Sequence, residues 1–87
     1  MEERINRVRE MEARLNRIQA WLEGKDASAD PGEDVRLLDE YYHSALWRSD
    51  FEADEAGEFP EDLPRGALSE DAVYNALSDY EECIRRE

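Results

Sequence analysis

From Ile5 to Leu22 an apolar side chain returns every three or four residues, at Ile5, Val8, Met11, Leu15, Ile18 and Leu22. This is the period of a helix with one buried face, and it is incompatible with a strand, whose side chains alternate from face to face. The spacing predicts one long helix over residues 1–23, ended by Gly24. Glu3 with Arg7 and Glu10 with Arg14 stand four residues apart in the favourable orientation, each pair worth about 0.2–0.5 kcal/mol on an exposed face. The stripe covers two heptads, so it also suits a coiled-coil seam and a homodimer through this first helix. Packing within the chain is the preferred reading, because sustained coiled coils run over three or four heptads.

Residues 24–32 are small and polar and read as a linker that lets the chain reverse. Asp30, Pro31 and Glu33 then resemble a helix start, with a side-chain cap, a proline in the first turn and a capping-box acid. A second helix is expected over 31–46, with Val35, Leu38, Tyr42 and Ala45 or Leu46 on its apolar face. Ser44 offers a further cap, for a short helix over 45–56 that closes at Gly57. Two prolines and two glycines make 57–68 a loop, pinned by Phe59, Leu63 and Leu68. Ser69 caps a last helix over 70–86, with Val73, Ala76 or Leu77, Tyr80 and Ile84 on one face. The expected fold is all-α: one 87-residue domain, a small three-helix bundle with an additional short helix and an ordered acidic loop.

Charge separates the two parts of the chain. Residues 1–23 hold five Arg and five Glu, so the remainder carries the whole net charge of -13. Such a surface is repelled by nucleic-acid backbones and by anionic lipid, and no apolar run approaches the length needed to span a bilayer. Direct nucleic-acid or membrane binding is therefore not expected. One cysteine cannot form an intramolecular disulfide, and the charged opening has no apolar stretch like that of a signal peptide, so the expected location is cytoplasmic.

No residues form a catalytic set, and neither a cofactor nor a metal site is expected. Asp50 to Glu61 places acids at positions one, three, five and twelve of a calcium loop. Glu55, however, occupies the position that needs glycine, and Pro60 precedes the last ligand. Glu40 and His43 make only half of a di-iron motif, in a chain with a single histidine. Cys83 falls on the apolar side of the last helix and reads as a buried structural thiol.

The stretch from Tyr41 to Asp71 is distinctive: Tyr41, Tyr42, His43 and Ser44, then Trp47, then Asp50 through Gly57 without a base. Pro60, Asp62, Leu63, Arg65, Gly66 and Leu68 to Asp71 complete it. This third of the chain closely resembles a family of short bacterial proteins called domain of unknown function 4298. The resemblance implies an all-helical fold and brings no assigned activity, cofactor or catalytic residue. It marks Tyr41, Tyr42, Trp47, Asp50, Asp54, Gly57, Arg65, Gly66 and Asp71 as important positions. His43 stands where the family pattern has glycine: if it takes the left-handed turn of that glycine, His43→Gly should stabilise modestly, and otherwise His43 is helical or makes a specific bond.

The function expected from the residues is a non-enzymatic interaction module whose acidic and aromatic surface meets a basic protein partner. The residues expected to form it are Tyr41, Trp47, Asp50, Phe51, Asp54, Glu55, Glu58, Glu61, Asp62 and Arg65. Arg65 reads equally well as a structural partner of the acidic loop. The alternatives are a nucleic-acid mimic that inhibits a DNA- or RNA-binding enzyme, and a carboxylate metal-binding protein.

Overall fold

A computed structural model describes residues 2–24 and 30–85. Positions 25–29 of the expected linker and Arg86 at the expected end of the last helix lie outside the described residues. Four helices follow one another: α1 (Glu2–Leu22), α2 (Gly32–Tyr42), α3 (Ala45–Glu55) and α4 (Glu70–Arg85). A single 3-10 turn, Gly66–Leu68, precedes α4, and no strand occurs among the described residues. The expectation of an all-α bundle with a short extra helix is met.

Helices α1, α2 and α4 pack on one another, and α3 lies across α2 and the 3-10 turn. Val8, Leu15 and Ile18 are the buried residues of α1, and they meet Leu38 and Tyr41 of α2 and Val73 and Ala76 of α4. The apolar stripe of α1 is thus used inside the chain. Each fully buried aliphatic side chain of this kind contributes about 1.5–3 kcal/mol. At 42 × 22 × 18 Å the molecule is about two helix diameters thick, so its grooves are open to solvent.

Several charged residues on α1 find partners on other elements. Arg14 and Arg17 both bind Asp34 of α2, at 2.8 Å, and Arg7 reaches α3. The pairs expected along α1, Glu3 with Arg7 and Glu10 with Arg14, are replaced by these bonds. Bidentate contacts to a half-buried carboxylate outcompete a solvent-screened pair on one face.

The helix ends locate the joints. Ser44 carries out two tasks: its hydroxyl donates to the Tyr41 carbonyl at 2.6 Å and accepts from the Trp47 N–H at 3.3 Å. It therefore closes α2 at Tyr42 and opens α3 at Ala45. The second helix is shorter than the expected 31–46, and Leu46 becomes an exposed residue of α3. At the start of α2 no side chain caps the helix, and Asp30 accepts instead from the Tyr80 hydroxyl at 2.6 Å, so the expected capping box is not formed. Ser69 does cap α4, accepting from the Ala72 N–H.

The end of α3 is a Schellman turn, with Glu58 N–H bonded to the Ala53 carbonyl and Gly57 N–H to the Asp54 carbonyl. Gly57 has φ +73°, a conformation that side chains with a Cβ adopt only with strain. The turn sends the chain back over the bundle, where Phe59, Leu63 and Leu68 are buried as expected.

Candidate partner-binding site

The residues expected at the surface divide into two groups. Asp50 is completely buried, the one buried charged side chain among the described residues. Its carboxylate accepts from Arg7 Nε at 2.9 Å and Arg7 Nη2 at 2.7 Å, from the Tyr41 hydroxyl at 2.5 Å, and is paired with Arg4 at 3.1 Å. A buried carboxylate is tolerated only when its lone pairs are filled in this way. Burial, followed by the hydrogen bond to Asp50, pushes the Tyr41 hydroxyl far above the ordinary phenol range. The same carboxylate raises Arg7. Tyr41 and Asp50 are therefore corrected from surface residues to parts of an internal network that ties α1, α2 and α3 together.

Asp54 and Arg65 also act within the fold. They pair at 3.0 Å, and Arg65 donates to the Pro60 carbonyl at 3.2 Å, so the loop after α3 is clamped onto that helix. This is the structural role considered for Arg65. A second clamp comes from α1, where Glu12 accepts from the Ala67 N–H at 2.8 Å. Trp47 supplies a third by donating its indole N–H to the Ala67 carbonyl at 2.9 Å. Trp47 is half-buried, stacked on Phe51 and edge-on to Tyr42, each at 5.1 Å between ring centres. Trp47 packs against the core, and both rings are half-buried.

The second group stays in solvent. Glu52, Glu55, Glu58, Glu61 and Asp62 are all exposed. None of them forms an ion pair with a described residue, and Arg65, the nearest following base, is engaged with Asp54. Glu55, Glu58, Glu61 and Asp62 are thus the expected site residues that remain available.

The rival constellations do not assemble. Residues 50–55 belong to a helix and cannot wrap an ion as a calcium loop does. Glu40 is paired with Arg36, and His43 bonds Asp39, so the half-motif for iron is not brought together. Among the described residues no three His, Cys, Asp or Glu side chains gather as a metal site. Cys83, expected to be buried, is exposed beside Leu22 and Asp79. His43 has φ -96° and is bonded to Asp39, so of the two alternatives it is the specific bond, and not the left-handed turn, that the structure has.

Compared with known protein families, residues 1–86 match the model described as Domain of unknown function (DUF4298). The chain belongs to this family. The DUF4298 match takes in α1 as well as the motif from Tyr41 to Asp71, as the structure leads one to expect, because Arg4, Arg7 and Glu12 of α1 hold that motif in place. Neither a curated protein nor a solved structure is significantly similar to the chain. No described helix is long and apolar enough to cross a membrane.

What reading the sequence missed is the internal network. Asp50 stands among exposed acids, and nothing in its local sequence distinguishes it from them. The available signal was the resemblance itself, which marked Tyr41 and Asp50 together.

Proposed function

We propose that this DUF4298 protein is a non-enzymatic interaction module that binds a basic protein partner through the exposed carboxylates of α3 and the loop that follows. One observation carries the reading. The structural needs of the segment are met by Asp50, Asp54 and Arg65, yet five further acids stand on the same clamped scaffold without a pairing base. Like charges held this close repel one another, and a cationic partner relieves that repulsion on binding. A scaffold already ordered by three clamps loses little conformational entropy when the partner arrives. The half-buried Trp47 and Phe51 pair supplies an aromatic anchor at the edge of the acids.

The test compares wild type with the variant Glu52→Gln, Glu55→Gln, Glu58→Gln, Glu61→Gln. Partners captured from a host lysate are identified, purified and titrated at several salt concentrations. The variant is expected to fold, to associate more slowly and to show a flatter salt dependence. Equal affinity and equal salt dependence would refute the reading. Displacement of the wild-type protein from its partner by DNA would favour the nucleic-acid mimic instead.

A further inference from the structure

Helix α4 has one apolar face, wider than the core covers. Val73 and Ala76 are buried and Leu77 packs in part against the core, while Tyr74 at the edge of that face and Ile84 near its C-terminal end stay exposed. Tyr74 is 61% and Ile84 44% exposed, and with the half-buried Leu77 between them they line the side of α4 that faces α2. Across from them α2 contributes Val35 and Tyr42. Two adjoining hollows between the helices share Asp39, Leu77 and Glu81 and together make a groove that runs from Ile84 to Tyr42.

The rim of this groove is acidic. Asp39 and Glu81 stand along it, and Glu70 and Asp71 lie near its Tyr42 end, where they help burial to raise the Tyr42 hydroxyl. Arg36, which also lines the groove, pairs with Glu33 and Glu40, and Arg85 pairs with Glu81, so these two bases leave the surrounding acids in excess. An apolar floor with anchors at helical spacing takes an amphipathic helix, and an acidic rim selects one flanked by Lys or Arg. A second copy of this chain is the wrong partner, because its own exposed α4 face carries Glu70, Asp71 and Glu81 and its α1 stripe is buried.

We infer that the groove between α2 and α4 is a docking site for a basic amphipathic helix of a partner protein. It is a different surface from the exposed carboxylates of α3 and its loop, and the inference stands without them.

The probe is a helical peptide of about 18 residues, long enough to follow α4, with Leu at heptad spacing and Lys on its flanks. A counterpart carries Glu in place of Lys. Each is titrated calorimetrically into the full chain, with amide shifts mapped by NMR. The Lys peptide is expected to bind with shifts along α2 and α4, and to lose affinity by about tenfold or more in Tyr74→Ser with Ile84→Ser. Tyr74→Lys, which adds a repelling charge at an exposed position, is expected to lose as much while melting like wild type. The four-Gln variant of α3 and its loop should bind the peptide nearly as wild type does, so failure here and failure of the proposed function are distinguishable. Absence of binding, equal binding of the Glu peptide, or affinity unchanged by both groove variants would each overturn the inference. So would sedimentation showing self-association that the groove variants abolish, since the occupant would then be a second copy.

Discussion

The hydroxyl of Tyr41 donates to Oδ2 of Asp50 at 2.5 Å, inside the bundle and on the same oxygen that accepts from Arg7 Nε. Removing the hydroxyl leaves the carboxylate one bond short, and removing the carboxylate leaves both the hydroxyl and two arginines without it. Tyr41→Phe is therefore expected to lower stability by about 1.5–3 kcal/mol, the range for a hydrogen bond to a charged group. Asp50→Ala should lose about 3 kcal/mol or more, towards the lower end for a broken buried pair because Arg7 keeps some contact with water. Urea denaturation of the two variants checks the order, and an Asp50→Ala protein as stable as wild type would contradict the role given to the network.

Alkaline pH tests the same residue without mutation. Burial and Asp50 raise the Tyr41 hydroxyl in the folded state, whereas in the unfolded chain it ionises near its ordinary value of about 10. A raised folded value means that the stabilisation is fully present below about pH 10 and is lost as pH rises towards the folded value. Stability should thus be level up to about pH 9.5 and fall beyond it. In Tyr41→Phe the alkaline fall should be shallower, with the raised Tyr42 hydroxyl still contributing.

His43 ends α2 in an ordinary negative-φ conformation, and its Nδ1 lies 2.9 Å from the Asp39 carbonyl and 3.2 Å from the Asp39 carboxylate. Glycine at this position, the residue of the family pattern, relieves no strain here and adds freedom to the unfolded chain. His43→Gly is expected to destabilise by about 0.5–1 kcal/mol, seen as a melting temperature lower by a few degrees. A higher melting temperature would show that the turn is left-handed after all.

Gly66 sits where a Cβ would come within 3.0 and 3.1 Å of the two Glu12 carboxylate oxygens. In Gly66→Ala the carboxylate must give by a few tenths of an ångström, which lengthens and weakens its bond to the Ala67 N–H. The expected loss is up to about 1 kcal/mol. Glu12→Ala should lose about 1–2 kcal/mol, and the double variant little more than Glu12→Ala alone, because both act through one bond. Additive losses in thermal or urea melts would mean that the glycine matters for another reason.

The elements visible in the sequence are those decided locally. The α1 stripe, the Ser44 and Ser69 caps and the Gly57 turn each rest on residues within a few positions of one another, and the structure has all of them. What could not be read depends on distant partners. Arg7 looked paired with Glu3 until Asp50, 43 residues away, was brought beside it. Asp30 looked like a cap until Tyr80, 50 residues away, took its oxygen. Cys83 and Ile84 lie near the end of α4, where the apolar period continues but both side chains stay exposed. For the candidate site the composition indicated the segment, and only packing separated its exposed acids from its buried one.

The two arginines on Asp50 also fix the register of α1. An interface of aliphatic side chains alone is similar to itself after a shift of one helical turn, since apolar residues recur at that interval. Here a shift by four residues in one direction would bring Met11 to the position of Arg7, and in the other direction Glu3. The first strands a buried carboxylate among apolar groups, and the second sets it against a like charge, so both slipped alignments are penalised far more than any mismatch of methyl groups. Asp50 acts as an indexing pin: it contributes less to how tightly the first helix is held than to which of its nearly equivalent alignments the folded protein accepts.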